Sequence, residues 1–91
     1  MKYKTQITQD DIAAGERSNP DACPVALKLA PRFDSVKVML GRIEIGQETY
    51  YNSAELERWI RTFDATGQES PVTLVLEYMP DLGMSCANIV R

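Results

Sequence analysis

The stretch SAELERWIRTFDATGQESPVTLVLEYM, residues 53–79, decides the fold. Leu56, Trp59, Ile60 and Phe63 recur at i, i+3, i+4 and i+7, which is one apolar stripe on a helix. Asn52 or Ser53 supplies the N-cap, and Gly67 ends the helix. Glu57 and Arg61 fall four residues apart on its outer face. The pattern then changes period. Val72, Leu74, Leu76 and Tyr78 alternate with Thr73, Val75, Glu77 and Met79, which predicts a strand with two partly apolar faces. Such a strand belongs in the middle of a sheet, and Pro80 ends it. Residues 81–91 read as a tail with at most a short strand at Ile89-Val90.

Upstream of this core the sequence reads as strands again. Gly46-Gln47 fits a type II′ hairpin leading into Glu48-Thr49-Tyr50-Tyr51. Val36, Val38 and Leu40 alternate in one phase, and Ile43 and Ile45 continue in the other, so Gly41 marks a bulge or a tight bend. Tyr3, Thr5 and Ile7 alternate with Lys2, Lys4 and Gln6 as a half-buried strand. Thr8 and Asp11 have the spacing of a cap for a short helical turn ending at Gly15. Pro24 suits a first helical position, with Asp21 or Cys23 as the cap. Val25, Ala26, Leu27, Leu29 and Ala30 bury that helix on most sides until Pro31 stops it. The expectation is one α+β domain over residues 1–91: a mostly antiparallel sheet of four to five strands with two helices packed on it.

Composition excludes several functions. The net charge is −3 and the ten Lys and Arg are scattered singly, so direct nucleic-acid binding is not expected. There is no histidine, and the two cysteines, Cys23 and Cys86, are too few for a structural zinc site. No metal, no cofactor and no catalytic residue is expected, and the chain reads as a non-enzyme. The opening Met-Lys-Tyr-Lys-Thr-Gln carries no apolar signal region, and no run is long enough to span a bilayer. A cytoplasmic location without membrane association is the expectation.

The densest local chemistry lies in Gly15-Glu16-Arg17-Ser18-Asn19-Pro20-Asp21-Ala22-Cys23-Pro24. A polar turn with one cation runs into the start of a buried helix. Arg17, Ser18, Cys23 and Pro24 are therefore the candidate ligand-binding residues, able to hold a phosphate or carboxylate against the helix N-terminus. The structural alternative is that Ser18 caps a turn and Arg17 pairs with Asp21 or Glu16. Cys23 is either a thiolate favoured by the helix dipole or a small buried hydrophobe. Asp10-Asp11 reads as cap and dipole partners. Tyr50 and Tyr51 point to opposite faces of one strand, so one of them is a candidate interface residue. An open sheet edge and a thin core point to a homo-oligomer.

Residues 7–29 also resemble a group of small phage and prophage proteins. The shared pattern is an Asp-Ile dipeptide, a glycine, Arg and Ser, then Cys-Pro-Val-Ala-Leu. It is carried here by Asp11, Ile12, Gly15, Arg17, Ser18, Cys23, Pro24, Val25, Ala26 and Leu27, and Lys28 departs from it. The resemblance implies an accessory gene of a mobile element, acting in the cytoplasm of a bacterial host. By analogy it implies a host-defence antagonist that sequesters an anionic, nucleotide-like small molecule. The alternative is an inhibitor that binds and blocks a host defence protein such as a CRISPR effector.

Overall fold

The computed structural model describes residues 2–91. Nine elements follow in order: β1 (Lys2–Ile7), α1 (Gln9–Ala14), α2 (Pro24–Leu29), β2 (Val36–Val38), β3 (Arg42–Ile45), β4 (Glu48–Asn52), α3 (Ala54–Thr66), β5 (Val72–Met79) and β6 (Met84–Val90). They form one mixed sheet of six strands in the order β1-β5-β6-β4-β3-β2. Every neighbouring pair is antiparallel except β4 and β6, which run parallel.

The α+β class and the central place of β5 agree with the sequence reading, whereas the element count does not. The sheet has six strands and three helices instead of four to five strands and two helices. The tail is the reason. Residues 84–90 pair along β5 from Met79↔Met84 to Thr73↔Val90 and also run beside β4. Ala87 and Ile89 are buried on the helix-covered face while Asn88 and Val90 are exposed on the other, but apolar Met84, Cys86 and Val90 on the outer face blur that alternation in the sequence. The third helix is the capped turn α1, and its capping box is complete. Thr8 Oγ1 accepts from the Asp11 N–H, and the Asp11 carboxylate accepts from the Thr8 N–H at 2.7 Å.

The helices cover one face of the sheet. Strand pairing puts Ile7, Val72, Leu74, Leu76, Ala87, Ile89, Ile43 and Val38 on that face, and all are buried. Leu56, Trp59, Ile60 and Phe63 of α3 meet it as the stripe required, with Trp59 only 1% exposed. The Trp59 indole N–H donates to the Ser70 carbonyl at 2.9 Å, which ties α3 to the entry of β5. Val25, Ala26 and Leu29 of α2 join the same core. The sheet curls around α2, which packs against both edge strands, β1 and β2. The edge of β2 is covered as well, since the Val38 N–H donates to the Pro20 carbonyl at 2.9 Å.

Three turns show the chain's local logic. Gly46 has φ +60 and Gln47 does not share a positive φ, which is the type II′ signature. Gly67 closes α3 at φ +73 in the left-handed conformation. Gly15 has ordinary extended backbone instead, at φ −73. Its demand is for space: a Cβ there would lie 2.5 Å from the Pro24 ring. The loop before α2 therefore folds tightly onto the helix's first residue.

Candidate functional site

The loop of residues 15–23 folds inward, and its chemistry is satisfied within the chain. The Arg17 guanidinium does not face the start of α2. It lies at the C-terminus of α3, where Nε donates to the Asp64 carbonyl at 2.8 Å and Nη2 to the Ala65 carbonyl at 2.6 Å. The last carbonyls of a helix lack intrahelical donors and carry its negative end, so a cation is well placed there. The Ser18 N–H donates to Asp64 Oδ1 at 2.8 Å, and Ser18 holds φ +55 to do so. Glu16 and Asp21 do not pair with Arg17. Glu16 accepts from Asn19, and Asp21 pairs with Lys37 at 3.1 Å.

Cys23 is the N-cap of α2 and makes no side-chain capping bond. Burial pushes its thiol up, and the backbone N–H groups of Ala26 and Val25 offset only part of that. A protonated, buried thiol is a small hydrophobe rather than a thiolate. Pro24 is buried against the core. Asp11 is held below the ordinary carboxylate range. Burial alone would raise it, but hydrogen bonds from Thr8 and Lys28 and the Lys28 charge together outweigh that. Lys28 Nζ reaches Asp11 Oδ2 at 3.1 Å, pinning α1 to α2.

An open concavity lies elsewhere, at the end of the sheet beyond the C-terminus of α2. It is a cleft of about 1070 Å³. Its floor is Leu76 and Ser85, and its aromatic walls are Tyr3, Phe33, Tyr50 and Tyr78. Ligand-holding clefts run to roughly 300–1,000 Å³, so this one is ample for a small molecule. Both tyrosines border the cleft, but alternation on β4 turns the Tyr50 side chain to the helix-covered face and the Tyr51 side chain to the opposite one, where it is 49% exposed. One of the two tyrosines thus faces solvent, as their adjacency in a strand requires.

Three charged residues border the cleft: Lys2, which pairs with Glu77 at 3.7 Å, Arg32 and Glu48. Arg32 follows α2 immediately after Pro31. Its guanidinium carbon lies 5.7 Å from the centre of the Tyr3 ring, and Tyr3 meets Phe33 edge to face at 5.2 Å. Among the described residues Arg32 makes no ion pair and no side-chain hydrogen bond. On the other side Glu48 opens β4, and its Oε2 accepts from the Tyr50 hydroxyl at 3.1 Å. Burial, then the Glu48 carboxylate, pushes the Tyr50 phenol up, so it stays a donor.

Sequence reasoning singled out Tyr50 only as one of two candidate interface residues, with Tyr51, and did not single out Arg32, Phe33, Glu48, Tyr3 or Tyr78. A signal was present in two places. Glu48-x-Tyr50 is an i, i+2 pair that must share a strand face. Arg32 stands between Pro31 and Phe33, where a buried helix ends and its next residues must border the core. Among the described residues no cluster of three or more metal-ligating side chains forms, and no helix is long and apolar enough to cross a membrane. No protein family, no curated protein and no solved structure matches the chain.

Proposed function

We propose that this chain is a non-enzymatic binding protein whose aromatic cleft captures a small planar anion, a nucleotide-like molecule. The observation that carries this reading is Arg32, a cation held against an aromatic wall with no carboxylate partner among the described residues. Aromatic rings accept a planar heterocycle face to face or edge to face, and a free guanidinium accepts a phosphate in bidentate fashion. The reading keeps the ligand class expected from the sequence and moves its site from the Arg17 loop to the cleft. With the resemblance to phage and prophage proteins, the setting we propose is sequestration of a nucleotide signal in a bacterial host.

The test is a thermal-shift panel of mononucleotides and cyclic dinucleotides on the wild type and Arg32→Gln. A ligand at 100 times its dissociation constant adds about 2.7 kcal/mol, a readily measured rise. The wild type is expected to be protected by at least one nucleotide, and Arg32→Gln to lose that protection while keeping the unliganded melting temperature. A panel without a single hit overturns the proposal. A second reading, a blocked partner protein, draws on the β5–β6 hairpin beside the cleft. Its tip exposes Tyr78, Met79 and Leu82, the last at 64%.

A further inference from the structure

Resting on the nucleotide reading, we propose that Glu48 makes the cleft selective for a guanine-type base. Gly46-Gln47 turns the chain so that β4 starts at Glu48, and alternation sends Glu48 and Tyr50 to the helix-covered side. The Tyr50 hydroxyl donates to Oε2 at 3.1 Å and so holds the carboxylate along the cleft wall. A carboxylate has about four lone-pair sites, and a single phenol occupies one. Among the described residues no Lys or Arg pairs with Glu48, and no other side chain donates to it.

A base that covers this carboxylate must bring donors, because leaving a charged acceptor buried and unpaired is costly. Two adjacent, parallel N–H groups meet its two oxygens best. Guanine presents that pair on one edge, at N1 and the exocyclic N2. Adenine presents one amino group beside the N1 acceptor, which would face a carboxylate oxygen. Cytosine presents the same mismatch at N4 and N3. Uracil has a single N–H between two carbonyls. The carboxylate thus selects by repulsion as well as by attraction.

Arg32 completes the geometry. It lies over Tyr3 on β1, whereas Glu48 lies on β4, with β5 and β6 between them. The pairing sets Tyr3 level with Leu76, Ala87 and Asn52, so Glu48 lies three strands across and four residues away along β4. Arg32 and Glu48 line the same cleft, and a nucleotide in it would turn its base to Glu48 and its phosphate toward Arg32. Tyr50 and Tyr78 face the stretch between, where the base and sugar would rest.

The experiment is calorimetry with 5′-GMP, 5′-IMP and 5′-AMP on the wild type, Glu48→Gln, Tyr50→Phe and Arg32→Gln. The wild type is expected to bind GMP at least tenfold more tightly than AMP, with IMP between them because it lacks the N2 amino group. Glu48→Gln should remove most of that ratio by weakening GMP and leaving AMP unweakened. Tyr50→Phe, which deletes only the hydroxyl that holds the carboxylate, should lower the ratio by a smaller factor. Equal binding of GMP and AMP that still depends on Arg32 overturns the selectivity and leaves the nucleotide reading standing. Unchanged GMP preference in Glu48→Gln also overturns it. Failure of all three nucleotides to bind overturns both.

Discussion

Two arginines, each just outside a helix, meet opposite fates in this molecule. Arg17 belongs to a polar loop with all the marks of an anion site, yet its guanidinium spends its donors on the closing carbonyls of α3. Arg32 sits between Pro31 and Phe33, with none of the small polar cluster that marks the Arg17 loop immediately beside it. Its guanidinium rests on an aromatic ring at the rim of the aromatic cleft, with no carboxylate paired to it among the described residues. Local polarity therefore locates charge without saying whether that charge is already used. What decides is the long-range partner. The Arg17 contacts span 47 and 48 residues of sequence, and no window around the loop contains them.

The loop side stands on α3, and the largest effect should come from undercutting that helix. Trp59 is 1% exposed, lies nearly parallel to Phe63 at 6.2 Å and donates to Ser70. Trp59→Ala should cost about 3–5 kcal/mol, enough to unfold much of a domain this small. Urea denaturation followed by circular dichroism measures it. A loss under about 1 kcal/mol would mean that α3 is not the keel of the core.

Arg17→Ala comes next and divides the two arginines most directly. It removes two charge-assisted hydrogen bonds from a helix C-terminus, an expected loss of about 1–2 kcal/mol in chemical denaturation. Arg17→Lys should recover only part of this, because an ammonium cannot span both carbonyls as the fork does. Ligand protection, where a nucleotide gives it, should survive both changes once corrected for the lower baseline. If Arg17→Ala leaves stability intact and abolishes protection, the roles of the two arginines are reversed.

Most of the framework was legible because it rests on short-range rules. Ser53 caps α3 by accepting from the Leu56 N–H at 3.1 Å, Gly67 ends it, and Thr8 and Asp11 close their box, all within four residues. The α3 stripe and the alternation of β5 are equally local. What could not be read was pairing across distance. β6 gains its strand character from β5 and β4 rather than from its own pattern. The cleft is assembled from β1, β4, the segment after α2, and the β5–β6 hairpin. Each contributes residues that look unremarkable alone. Tyr50 was visible because its neighbour Tyr51 forces the two apart on a strand, whereas Glu48 needed Tyr50 beside it to matter.

The smallest effect tests the loop side by pH, where the cleft should stay silent. Asp11 is held below the ordinary carboxylate range in the folded chain by Thr8 and Lys28, against the opposing pull of burial. A carboxyl with a lowered folded value binds protons more readily when the chain is unfolded. Its stabilisation is therefore complete above the ordinary carboxylate value, and it fades as pH falls through that value toward the lower folded one. Asp11→Asn removes the charge paired with Lys28 at 3.1 Å and weakens the reciprocal cap. The expected cost is about 1 kcal/mol at neutral pH, shrinking as the solution is acidified until wild type and variant converge. Denaturation midpoints taken from neutral to strongly acidic pH follow this directly. Two parallel curves would show that the Asp11 charge adds nothing to the seam between α1 and α2. A change in nucleotide protection at neutral pH would show that the loop and the cleft are coupled, and the contrast between Arg17 and Arg32 would have to be redrawn.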